Sequence, residues 1–159
     1  MSDDVNVIEG ELNARGMRFG IVAAQFNELI VERLVDAALT TLRKHGAENG
    51  DITLVRVPGA FELPVVAGRM AATRSYDALI ALGCVIRGAT PHFDYVAGEA
   101  ASGLGAVARQ HDVALGFGVL TVDTVEQALE RAGSKAGNKG ADAALAAIET
   151  ASVLRRIQK

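Results

Sequence analysis

The sequence predicts a three-layer α/β sandwich, with helices on both faces of a four-stranded parallel sheet. Three observations predict it. Short apolar runs alternate with helix-period stretches in the order βαβαβαβαα. The runs at 18–24 and 78–85 are apolar on both strand faces, as strands covered on either side by helices must be. A helix-length segment separates each run from the next, so right-handed crossovers join them and strand order 2-1-3-4 is expected.

Taken in order, residues 1–16 read as an N-terminal arm, with Val5, Val7 and Leu12 marking a short strand-like stretch. Strand 1 is Arg18–Ala24. Helix 1 runs from about Glu28 to His45, with Leu29, Leu34, Val35, Ala38, Leu39 and Leu42 at helical spacing and Gly46 as its stop. Strand 2 is Ile52–Val57, ended by Pro58-Gly59. Helix 2 spans roughly Phe61–Thr73 and tolerates Pro64, because a first-turn N–H has no helical partner. Strand 3 is Ala78–Val85, helix 3 runs from Pro91 to about Gln110, and strand 4 is Val113–Val122. A short helix 4, Val125–Arg131, and an Ala-rich helix 5, Gly140–Ile157, complete the chain. No repeat, low-complexity tract or linker interrupts it, so residues 1–159 are expected to form one domain.

Composition narrows the function. Half of the 159 residues are hydrophobic and 22% are charged, which argues against disorder. A net charge of −3 offers no basic field for nucleic acid or an anionic membrane. No apolar run reaches the roughly 18 residues of a membrane span, and the start, Met-Ser-Asp-Asp-Val, lacks a signal peptide's pattern. One cysteine, Cys84, rules out an intrachain disulfide and a cysteine-rich metal site. A cytoplasmic protein is expected. There is no Trp, with two Tyr and five Phe, and Phe26, Phe61 and Phe93 all fall at or just after strand ends. Flat rings placed there suit a planar ligand; equally, they could plug the ends of the sheet.

In such a sheet, ligands bind beyond the carboxyl ends of the strands where the strand order reverses. Here that point lies between strands 1 and 3, flanked by Gln25-Phe26-Asn27 and Ile86–His92, with Pro58-Gly-Ala-Phe-Glu62 beside them. Thr90 reads as an N-cap with Pro91 as the first helical position. The free N–H groups of that turn, with those of Ala89 and Thr90, would attract an anion such as phosphate, and Gly88 would permit a close approach. Thr-Pro is also simply a good helix start. His92 stands where a base could become an acid as a reaction proceeds. Glu62 either complements a helix dipole or accepts hydrogen bonds from a polyol. Arg131 and Lys139 read as solvated helix-end charges unless a subunit contact brings them to a phosphate.

Other sites fail on context. Gly103-Leu-Gly105-Ala-Val-Ala108 fits a dinucleotide pattern formally but lies within a helix. No Walker loop, G-x-S-x-G elbow or H-E-x-x-H occurs. Strand 1 ends in Ala23-Ala24-Gln25, without the acidic residues of a phosphoacceptor receiver or the hydroxyl-rich loop of a flavodoxin.

Together the loops resemble those of the lumazine synthases of riboflavin biosynthesis. The match covers nearly the whole chain. It includes Ile8-Glu-Gly, Phe26-Asn27, Pro58-Gly-Ala-Phe-Glu62 and Gly83-Cys-Val-Ile-Arg-Gly-Ala-Thr-Pro-His-Phe-Asp-Tyr95. It continues through Gly118-Val-Leu-Thr, Glu126-Gln-Ala, Arg131-Ala-Gly and Gly137-Asn-Lys-Gly-Ala. The resemblance implies a flavodoxin-like sheet and a transferase. Its reaction would be condensation of 5-amino-6-(D-ribitylamino)uracil with 3,4-dihydroxy-2-butanone 4-phosphate. The products would be 6,7-dimethyl-8-ribityllumazine, phosphate and water. No metal or redox cofactor is implied.

By the same resemblance Phe26 would stack on the pyrimidine, and Ala60, Phe61 and Glu62 would hold the ribityl chain. Cys84, Val85 and Ile86 would line the ring pocket, largely through backbone. Ala89 and Thr90 would receive the phosphate, and His92 would transfer protons. Phe117 and Arg131 would come from an adjacent subunit, assisted by Lys139. The family forms pentamers, some of them closed into icosahedral shells that could enclose riboflavin synthase. The uninterrupted Gly137-Asn-Lys-Gly140 turn resembles the shell formers. Val122 replaces the family's usual hydroxyl residue, and Asp142 its commoner Glu. Two other readings are a shell protein without catalysis and a lumazine-binding module without turnover.

Overall fold

Six consecutive buried residues, Phe19–Ala24, form the central strand β1. A computed structural model describes residues 4–134 and 137–157. After β1 come α1 (Glu28–Lys44), β2 (Ile52–Val57), α2 (Leu63–Ala72), β3 (Ala78–Ile86), α3 (His92–His111), β4 (Ala114–Val122), α4 (Val125–Arg131) and α5 (Lys139–Arg156). The sheet is wholly parallel in the order β2-β1-β3-β4, as expected.

Period-2 alternation divides the core between the two faces. Phe19, Ile21 and Ala23 of β1, with Ile80, Leu82 and Cys84 of β3, pack under α1 and α5. Val22 and Ala24, with Leu79, Ala81 and Val85, pack under α2 and α3. The α1 stripe is Ile30, Val31, Leu34, Val35, Ala38 and Leu42; Leu29, expected on it, is exposed. On the α5 side the approach is so close that two glycines are obligatory. A Cβ on Gly116 of β4 would lie 2.1 Å from the Ala143 carbonyl oxygen, and one on Gly140 of α5 would lie 2.1 Å from that of Leu34.

Helix 2 starts differently from the sequence expectation. Residues 60–62 form a separate 3₁₀ turn, and the α-helix begins only at Leu63, with Pro64 tolerated in its first turn. The arm at 4–16 pairs with no strand among the described residues, and Val5, Val7, Ile8 and Leu12 are exposed. It lies along α5 instead: the Glu11 N–H donates to Ser152 Oγ at 3.0 Å, and Arg156 holds both the Glu9 carbonyl and the Glu11 carboxylate. Among the described residues no helix is long and apolar enough to cross a membrane.

Candidate active site

The carboxyl ends of β1, β2 and β3 open into one cavity of about 700 Å³. Its loops are fastened by backbone. The Gln25 and Phe26 N–H groups donate to the Val57 and Pro58 carbonyls at 2.8 and 3.0 Å, extending the β1–β2 ladder past the strand ends. Asn27 then turns the chain in the left-handed region, φ 62°, which asparagine tolerates better than most residues. Its Nδ2 donates to the Cys84 carbonyl at 2.8 Å. One side chain thus ties the start of α1 to the end of β3 across the switch point.

Phe26, Ala60, Phe61, Glu62, Cys84, Val85, Ile86, Thr90 and His92 all line the cavity. Two of the three rings do not plug the sheet, Phe26 being 72% exposed and Phe61 53%, whereas Phe93 is partly buried and packs against the core under α2 and α3. Phe26 and Phe61 remain free to cover a planar ligand. Cys84 and Val85 belong to opposite cores and both line the cavity at the end of β3. Burial pushes the Cys84 thiol up to about 11, so it stays protonated at neutral pH and is no nucleophile. The Glu62 carboxylate makes no cap hydrogen bond to α2, which leaves it available to a polyol.

The turn into α3 is built one residue later than expected. Pro91, φ −70° and ψ 2°, is the N-cap of α3, and His92 is its first residue. Thr90 makes no side-chain cap; it is exposed at the cavity, whereas Ala89 is exposed beside it and off the lining. Pro91 holds the turn by accepting the Asp94 N–H at 3.0 Å. With the Asp94 N–H so taken, the His92 and Phe93 N–H groups at the helix start are the donors left for an anion to meet. Gly88 does not adopt the left-handed region, and the space beside it is open, so the turn itself does not require glycine.

Three expected residues lie elsewhere on this chain. Phe117 sits mid-strand on β4, opposite Ala81, and is partly exposed. Arg131 ends α4, exposed, with Nη1 donating to the Gln127 carbonyl at 3.1 Å. Lys139 opens α5 and is exposed. None of the three lines the cavity.

Phe93, one of the three rings expected at strand ends, also lines the cavity, as do Asn27, Tyr95 and Val96, to which no role was assigned. Tyr95 was readable, because it stands three residues after His92 and so shares its helix face. Its ring is 72% exposed. The cavity therefore combines exposed rings, the end of β3, a helix start and an imidazole.

Comparison with known proteins agrees. A family model described as 6,7-dimethyl-8-ribityllumazine synthase matches residues 16–155. A 6,7-dimethyl-8-ribityllumazine synthase from Nitratidesulfovibrio vulgaris is 54% identical over 153 residues, covering 96% of this chain and 98% of that one. Another, from an Anaeromyxobacter species, is 56% identical over 155 residues, covering 98% and 95%. The cavity's composition and these matches lead to one conclusion: this chain belongs to the 6,7-dimethyl-8-ribityllumazine synthase family.

Proposed function

We infer that this chain carries out the family's reaction, joining the ribitylamino-substituted uracil to the butanone phosphate to give the lumazine, with loss of phosphate and water. One observation carries the reading: exposed rings, the end of β3 and His92 surround a single cavity at the switch point. Purified protein given both substrates should form the lumazine and release phosphate; failure to form it overturns the reading.

In this reading Phe26 stacks on the pyrimidine, and the backbone of Cys84, Val85 and Ile86 forms the floor of the ring pocket. Ala60, Phe61 and Glu62 take the ribityl chain. The turn at Ala89 and Thr90 takes the phosphate. His92 moves protons during carbinolamine formation, phosphate elimination and ring closure. Holding two reactants in alignment can lower the barrier by about 7–11 kcal/mol, so the site needs little further chemistry. Phe117, Arg131 and Lys139 are supplied by a neighbouring subunit, consistent with their exposure away from the chain's own cavity.

Substitution should separate the two substrates. Arg131→Ala is expected to raise KM for the butanone phosphate about 10-fold, as loss of a charge-assisted contact does, with the pyrimidine KM little changed. Phe26→Ala should do the reverse, since only stacking is lost. Equal effects on both substrates in either variant would make that residue structural.

The oligomer we propose is a pentamer, closed further into an icosahedral shell. The exposed apolar arm supports the first step, because Val5, Val7 and Ile8 have no cover of their own. The short connection into α5 supports the second. Asn138 caps that helix, its Oδ1 accepting the Gly140 and Ala141 N–H groups at 2.7 and 3.3 Å. Light scattering should show a particle far above pentamer mass. A single pentamer-sized species across pH and phosphate concentration would refute the shell, and a fully active monomer would refute the shared site.

A further inference from the structure

Arg87 belongs to none of the roles above, yet it links β4, the residue after it and the start of α3 beside the phosphate-receiving turn. It directly follows β3, and its N–H donates to the Val122 carbonyl at 2.8 Å, adding one rung to the β3–β4 pairing. Its Nε donates to Asp123 Oδ1 at 3.0 Å, and its Nη1 lies 3.7 Å from Asp94 Oδ1 in the first turn of α3. The guanidinium carbon stands 4.4 Å from the centre of the Phe93 ring, which lines the cavity. Asp123 is in turn fixed by its N–H donating to Gln127 Oε1 at 2.7 Å, beside the Thr124 cap of α4.

These pairs are half-exposed or more, so as ion pairs they add little to folding. Their geometry has another consequence. Asp94 and Asp123 place two negative charges next to the turn where a phosphate dianion is to bind, and each opposes it. Arg87 offsets both while holding the turn, the start of α3 and the loop after β4 in one arrangement. The planar guanidinium is suited to this, because it can stack on a ring and donate along its edge together.

We propose that Arg87 is a positioning residue for the phosphate subsite, acting through Asp94, Asp123 and Phe93 and not by contact with the ligand. The proposal rests on the assignment of the phosphate to the turn at Ala89 and Thr90. Titration of inorganic phosphate, followed by ³¹P NMR at low ionic strength, tests it on the assembled protein. Arg87→Gln is expected to weaken binding about 10-fold. Adding Asp123→Asn to that variant should recover about 3-fold, because one of the two opposing charges is removed. Arg87→Lys keeps the charge without the planar stack and should fall between wild type and Arg87→Gln. In steady state, Arg87→Gln should raise KM for the butanone phosphate alone.

Phosphate binding by Arg87→Gln within about 2-fold of wild type, within the scatter of exposed ion pairs, overturns the proposal. So does absence of any recovery on adding Asp123→Asn, or an equal rise in both KM values. If Arg87→Gln does not fold, Arg87→Lys decides: unchanged phosphate binding overturns the proposal and weaker binding supports it. Binding is read without turnover, so a wild type that binds phosphate but forms no lumazine overturns the activity alone. A wild type that binds no phosphate overturns this proposal.

Discussion

His92→Ala is expected to lower kcat about 100-fold, toward the lower end of the range for general acid–base catalysis, with both KM values nearly unchanged. The imidazole is exposed at the first position of α3 and lines the cavity, so its removal takes away proton transfer without disturbing a packed core. The low end of the range applies because condensation of an amine with a ketone proceeds slowly even unaided. A fall in kcat and kcat/KM together is the sign of a group that acts in the transition state. Wild-type kcat in this variant would remove His92 from the mechanism.

Gly140→Ala is expected to have the largest effect on folding. Its Cβ would stand 2.1 Å from the Leu34 carbonyl oxygen and 2.8 Å from the Leu34 Cα, both backbone atoms that cannot swing away. The first turn of α5 must then lift from α1 or shift along it. A cost of about 3 kcal/mol is expected, at the upper end for an overpacked core. At about 2–4 °C per kcal/mol for a chain of this size, the melting midpoint should fall by about 6–12 °C. Gly50→Ala provides the control, because nothing lies within 4 Å of its added methyl. Equal midpoints for the two variants would show that the α1–α5 contact yields easily.

The strands were legible because burial on both faces leaves a plain mark. Phe19–Ala24 and Ala78–Ile86 are apolar throughout, and no amphipathic helix would be. The cavity followed from topology, since the strand order places the loops after β1, β2 and β3 together. Local chemistry failed where two turn signals competed. Thr90-Pro91 suggested a threonine cap, but in the folded chain Pro91 itself ends the turn and accepts the Asp94 N–H. Helix 2 was expected from about Phe61, whereas the chain first makes a 3₁₀ turn that carries Ala60, Phe61 and Glu62 past the cavity. Asn27 and Arg87 were unreadable for a different reason. Their partners, the Cys84 carbonyl and Asp123, are distant in sequence and meet them only once the sheet is assembled.

The order β2-β1-β3-β4 also governs how the chain reaches its fold. No two paired strands are joined by a hairpin: Phe19 meets Ile52 on one side and Ala78 on the other. Each rung must therefore close a long loop before it returns any stability, a topology associated with slow folding. During synthesis at about 5–20 residues per second, β1 waits seconds for β3 to emerge. Throughout that interval its bare apolar edge can pair with the same strand of another nascent chain. The nascent chain is thus most vulnerable to meeting its own kind too early, and rapid docking of α1 over Phe19, Ile21 and Ala23, which covers one face of β1, is its first protection.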